Sequence, residues 1–364
     1  MPKKTFYIIL IILAGLLIVG GIIWYFLFNS SAPATSPEGP GFTAPGQETS
    51  KGWVPISGGP VISAHFSDDS ILFYDFSGNL WQFKNDGSKP ISTGQTIVES
   101  PAEVIWSTNE KNIVKTGSDR SDIRYIFSDF GGKIFTDLET GIKSVVFSPD
   151  AKKIAYQISD FKTNNLSAGD PDGKNQKILI KDFKLRDIIL NWPKSDQMVF
   201  ISRPSGLIPG SLWTLDVKNL KIAKLISGLF GLEALFSPDG NSFIYSYTDQ
   251  NGQNPKLALN KNGVSKDINN ISTLVDKCAW AEDSINIYCA IPQSWPGSTA
   301  LPDDYYKNAF STTDDLWEIN VETGEKNLIS QRMGDVSNLD INANNNSLIF
   351  ISRNSRLLYQ LNLK

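Results

Sequence analysis

The chain has 364 residues, 41% hydrophobic and 20% charged, with a net charge of −4, the composition of a globular protein able to bury a large core. The mild acidity excludes the basic field that a nucleic-acid binder needs, so no nucleic acid is expected among its partners. A single histidine, His65, leaves His-based metal sites and Ser-His-Asp triads without their residues, and no metal or cofactor is expected.

Residues 1–5 are a short tip carrying Lys3 and Lys4. FYIILIILAGLLIVGGIIWYFLF follows at 6–28, 23 residues without a charge. As a helix this stretch is about 35 Å long, enough to cross a bilayer core of about 30 Å. No Lys or Arg follows until Lys51, so the excess of positive charge lies before the span and predicts a cytoplasmic N-terminus. Trp24, Tyr25, Phe26 and Phe28 crowd its outer end, where an aromatic belt belongs. Ala32-Pro33-Ala34 mimics a signal-peptidase site, but an ordinary signal peptide has an apolar stretch of roughly 7–15 residues. The expectation is a single-pass transmembrane helix in contact with the lipid bilayer, with the rest of the chain periplasmic or extracellular. Residues 29–52 are dominated by Pro, Gly, Ser and Thr and cannot bury enough surface to fold. They predict a disordered linker, spanning on the order of 30 Å.

From residue 53 the chain repeats itself. FSPDAKKIAYQ at 147–157 and FSPDGNSFIYS at 236–246 are the clearest copies. Aligned on the opening aromatic, the anchors are Phe66, Trp106, Phe147, Trp192, Phe236 and Trp280, with a weaker Ile341. Their spacings are 40, 41, 45, 44, 44 and 61 residues. Each unit runs strand, polar turn, strand, variable loop, third strand (NLWQF, RYIFS, SLWTL, DLWEI) and fourth strand (KPIS, KILI, KNLIS). Repeats of this length built from four short strands predict an all-β fold, a seven-bladed β-propeller, with six or eight blades as alternatives. The last unit ends after three strands, while VPIS at 54–57 matches KPIS at 89–92. Residues 53–57 are therefore expected to supply the missing strand and close the ring formed by 53–364.

FSPDAKKIAY, FSPDGNSFIY and the DPDGKNQKILI run at 170–180 resemble the WD-like repeats of TolB-type propellers. The resemblance covers 53–364 and is specific in the third and fifth units. It implies the propeller fold. TolB proteins carry an α/β domain before the propeller, where this chain has the anchor and linker, so their partners do not carry over. The same repeats occur in the propellers of prolyl peptidases, whose α/β-hydrolase domain has no counterpart here, nor is there a G-x-S-x-G nucleophile elbow.

Candidate site residues fall in three groups. The sixth unit carries a long connection, AIPQSWPGSTALPDDYYKNAFSTTDD, in which Trp295, Tyr305 and Tyr306 offer stacking surface to a glycan or peptide. Arg120, Arg124, Arg203, Arg353 and Arg356 lie between the second and third strands of their units or at the start of the third, on connections that share one face, and predict recognition of an anionic group. The alternative for both groups is local packing and pairing. Cys278 and Cys289 flank a hairpin centred on Asp283 and Ser284, which would set them opposite each other for a possible disulfide. Asp303, Asp304, Asp314 and Asp315 are weaker candidates for a calcium site. With no triad, no elbow and one histidine, the chain is expected not to be an enzyme. It is expected to be a protein-binding, scaffolding module of the cell envelope, whose partner is an envelope protein or glycan. The alternative is a glycan-binding or glycan-cleaving propeller, which would require at least two carboxyl groups with raised pKa values.

Overall fold

The computed structural model describes residues 52–363 except 68–69, 85–87, 95–97, 110, 118–122, 130–134 and 161. The expected anchor at 6–28, the linker up to residue 51 and Arg120 lie outside the described residues. Among the described residues no helix is long and apolar enough to cross a membrane.

Residues 50–364 form one compact unit, almost wholly of short antiparallel strands. Four-stranded sheets span 61–92, 101–137, 142–180 and 278–330, each with its strands in chain order. A seven-stranded sheet spans 188–267. Its central strand, Ile222–Phe236, serves two ladders: residues 222–229 pair with the strand before and 230–236 with the strand after. The last sheet joins the two ends of the unit in space. Val54–Pro55 pairs with Leu358–Asn362, Val54 opposite Gln360 and Pro55 opposite Tyr359. Ile56 N donates to Leu358 O at 2.9 Å, and Leu358 N to Ser57 Oγ at 2.9 Å. The strand expected at 53–57 is thus present, shortened to two residues plus these bonds.

The repeated phrase builds its own turn. Ser148 Oγ donates to Asp150 Oδ1 at 2.8 Å and accepts from Lys153 N at 2.9 Å. Ser237 repeats this with Asp239 at 2.6 Å and Ser242 N at 3.0 Å. These side chains satisfy backbone groups that the reversal leaves unpaired. The next position has positive φ in both copies, 51° at Ala151 and 66° at Gly240. This is the left-handed region that glycine enters without strain, and a Cβ at residue 240 would also meet Pro193 O at 2.5 Å.

Alternating apolar residues on each strand pack between neighbouring sheets. One cluster sets Val61, Ile71 and Phe73 of the first sheet against Ile349, Ile351 and Leu358 of the last. His65 belongs to this seam: its Nδ1 lies 2.8 Å from Asp340 Oδ2, and its ring stacks on Trp106. Cys278 and Cys289 are cross-strand partners joined by a disulfide, Cα to Cα 4.1 Å.

Candidate functional site

In an antiparallel four-strand unit, the link from second to third strand and the link onward to the next unit leave from the same end. That end gathers the loop at 203–209, the kink at 228–231, the loop at 249–255, the 3₁₀ turn Val275–Lys277, the long connection 293–313, the loop at 331–335 and the loop at 353–357.

The long connection is folded down and locked. Trp295, Leu301, Tyr305 and Phe310 pack with Leu274 as a small satellite core. Trp295 Nε1 donates to Ser272 O at 3.2 Å, and its ring meets Phe310 edge-on. Leu301 N donates to Gly252 O at 2.7 Å. Side chains are excluded where these loops cross: a Cβ at Gly206 would sit 2.3 Å from Leu301 O, and one at Gly252, φ 72°, would sit 2.9 Å from Ala300 Cα. The one-turn helix Asp303–Tyr306 closes the loop. Asp303 accepts from Gly206 N at 2.6 Å and from Ser205 Oγ at 3.2 Å, which ties the 205–208 loop to it.

Beneath the connection lies a buried ion network that sequence reasoning missed. Lys277 is 0% exposed. Its Nζ donates to Asp314 Oδ2 and Asp335 Oδ1, both at 2.7 Å, and to Val336 O at 2.8 Å. Arg353 Nη1 donates to Asp335 Oδ2 at 2.7 Å. Its Nη2 donates to Tyr305 O and to Asn308 Oδ1, and its guanidinium stacks on the Tyr305 ring at 3.8 Å. Lys277 also faces that ring, at 5.3 Å. Two carboxylates and two cations balance. Burial pushes the Asp314 carboxyl up, and Lys277 opposes the shift.

A second cluster has no such balance. Glu233, in the second half of the strand Ile222–Phe236 and opposite Ser246, is 6% exposed. Its Oε1 accepts from the Tyr306 hydroxyl, and its Oε2 is buried without a hydrogen-bond partner. Burial, with the charges of Asp276 and Asp303, pushes its carboxyl up to about 8, and the Tyr306 and Ser246 hydroxyls offset this only in part. Asp276 Oδ2 accepts from the Tyr305 hydroxyl at 2.6 Å. Burial raises both phenols, Asp276 adding to it at Tyr305 and Glu233 at Tyr306. Tyr306, whose hydroxyl bonds Glu233, is 52% exposed as a residue, and Leu207 and Ile208 stand out on the neighbouring loop at 63% and 68%.

The residues expected at the site thus part company. Tyr305, Tyr306 and Arg353 meet, with Arg353 and Tyr305 turned inward as struts. Trp295 packs into the satellite core. Arg124, at the start of a third strand, lies 3.8 Å from Asp137 of the outer strand in an exposed pair. Arg203 is exposed and meets Asp187 through its backbone. Arg356 has φ 59° and accepts from Val61 N. The four acids proposed for calcium do not converge: Asp304 accepts from Ala300 N, Asp315 from Arg332 N, and Asp303 and Asp314 bond as described. Among the described residues no three acidic, histidine or cysteine groups come together to hold a metal.

The chain matches no protein-family model and no curated protein sequence. Solved structures do resemble it. An oligogalacturonate lyase from Vibrio parahaemolyticus is 11% identical, with TM-score 0.61, over 87% of this chain and 95% of its own. The tricorn protease is 11% identical, with TM-score 0.55, over 87% of this chain and 34% of its own, so this chain spans about a third of that protein. TolB from Acinetobacter baumannii is 14% identical, with TM-score 0.45, over 82% of this chain and 78% of its own. The expectation that the chain is not an enzyme is overturned: a lyase shares nearly its whole length with this fold. A missing triad, a missing elbow and a lone histidine exclude particular chemistries only. At these identities the likeness is one of architecture, and residues 50–364 have the β-propeller fold that the FSPD repeats imply.

Proposed function

We propose that the chain is a seven-bladed β-propeller held outside the cytoplasm by residues 6–28, and that it works as a protein-binding module of the cell envelope. Seven blades follow if the seven-stranded sheet is divided within Ile222–Phe236, where one strand leaves one ladder and enters the next. The working face is the one that carries the long connection. The observation that carries this reading is the buried Lys277, Asp314, Asp335 and Arg353 network. Enclosing four charges is costly and is tolerated where it fixes one arrangement. Here it holds a long loop rigid, so that Tyr306, Leu207 and Ile208 form a preorganised apolar contact surface. Aromatic and apolar anchors on a rigid frame are what protein interfaces use as hot spots.

The test is crosslinking of the full chain in its native envelope, beside a Leu207→Asp/Ile208→Asp variant of unchanged melting temperature. A protein captured by the wild type and lost in the variant is expected. Equal capture by both overturns the assignment of the face, and capture by neither overturns the binding reading. A second reading, chemistry on a glycan, is favoured by Glu233 beside Asp276: a protonated carboxyl next to an acceptor is the equipment of acid–base catalysis. Turnover of envelope polysaccharide by the wild type, lost in Glu233→Gln, would establish it.

A further inference from the structure

We infer that Glu233 and the Tyr305–Tyr306 pair form the receptor for a basic side chain, the ammonium or guanidinium of a lysine or arginine on the bound protein segment. This deepens the binding reading above and rests on it.

Among the described residues, the Glu233 cluster lacks a cation. A buried carboxyl is normally neutralised by a cation or fully hydrogen-bonded. A short distance away the same face does this: Asp314 and Asp335 each receive Lys277, and Asp335 also receives Arg353. Glu233 receives no cation. It faces Tyr306, Ser246, Asp276 and Asp303, and Oε2 is left without a partner. Asp276 has the Tyr305 hydroxyl, and Asp303 has Gly206 N and Ser205. Lys277 and Arg353 are committed to their own pairs. The neighbourhood therefore carries acids in excess by at least one charge. One wall suits a cation as well: the Tyr306 ring meets Tyr305 edge to face at 5.3 Å, the Tyr305 ring already holds Arg353, and the aromatic face of Tyr306 attracts ammonium and guanidinium groups. Tyr306, half-exposed as a residue and bonded to Glu233 through its hydroxyl, is the side chain that must move to admit one.

Binding then exchanges a proton for the cation. The neutral carboxyl of Glu233 releases H⁺ to solvent, and the carboxylate pairs with the incoming R–NH₃⁺ or guanidinium. Because Glu233 holds its proton up to about pH 8, affinity should rise about tenfold per pH unit below that point and level off above it.

The probe is the peptide acetyl-Gly-Gly-Gly-Lys-Gly-Gly-Gly-amide, titrated calorimetrically into the full chain in detergent from pH 6 to 9, beside the same peptide with norleucine for lysine. Buffers of differing ionisation enthalpy count the protons released. The proposal expects lysine-dependent binding, release of close to one proton at pH 7, and loss of both in Glu233→Gln, which keeps an acceptor for Tyr306. Equal binding of the two peptides, lysine binding that survives Glu233→Gln, or no binding at 10 mM peptide would each overturn it. Envelope crosslinking separates the two levels. A partner still captured by Glu233→Gln refutes this receptor alone, whereas no partner for the wild type refutes the binding reading beneath it.

Discussion

Replacing Lys277 by methionine removes the centre of the buried network while roughly keeping its volume. Asp314 and Asp335, 0% and 1% exposed, then lose their shared cation, and Val336 O loses a donor. Breaking a buried pair from one side costs about 3–5 kcal/mol, because the partner is left charged or must take up a proton. With an unfolding entropy of about 2.1 cal/mol/K per residue acting over Ser50–Lys364, that loss lowers the melting temperature by ~5–8 °C. Calorimetry of the full chain at pH 7 measures it. The deficit has a direction with pH. Burial already raises Asp314, and Lys277 is what opposes it. Without the lysine its carboxyl titrates higher, so the variant loses least in acid and most above neutrality. Adding Asp314→Asn to Lys277→Met should restore part of the loss, since the two changes share one interaction. A shift below 2 °C, or a deficit that does not vary with pH, would refute the reasoning that this network locks the long connection.

Other consequences follow from single contacts. The Glu233 pKa is raised on folding to about 8, so its contribution is complete below its unfolded value and is lost as pH rises toward 8. Glu233→Gln should therefore be more stable than wild type at pH 9 and lose that advantage below pH 5, as denaturant midpoints would show. Gly206→Ala drives a methyl onto Leu301 O, 2.3 Å from the ideal Cβ, and should cost about 1–3 kcal/mol as overpacking, seen in the same denaturation curves. Reducing the Cys278–Cys289 bridge, with a sequence separation of 11, should cost at most about 3 kcal/mol, visible as a lower midpoint under reductant. Deleting residues 52–58 removes the strand paired to Leu358–Asn362 and should lower the melting temperature by many degrees; an unchanged melt would sink the idea that this pairing joins the ends.

Much of the frame is legible in the chain because its causes are local. Ser148, Asp150 and Lys153 make their turn within six residues, so the motif can be read as written. The likeness of VPIS to KPIS likewise marks 54–57 as a strand whose partner lies at the other end. The site is harder to read because its causes are distant. Lys277 looks like a surface lysine until Asp314 and Asp335 close over it, and the one local hint is its place directly before the buried strand Cys278–Trp280. Glu233 sits in a strand as any solvent-facing glutamate would. Its environment is imposed by Tyr306, 73 residues away. Among the arginines, the described ones serve different purposes: Arg353 is a strut, Arg124 a surface pair and Arg356 a turn residue. Residue type and face are readable from spacing; whether a guanidinium points out or in depends on the loop folded over it.

The most direct test of the central claim is site-specific photocrosslinking in living cells. A photoreactive residue is placed at position 306, on the face of the long connection, or at position 219, in a turn at the opposite end of the sheets. The account predicts a discrete envelope-protein adduct from 306 and none from 219. Adducts from 219 alone, or the same adducts from both positions, would contradict it.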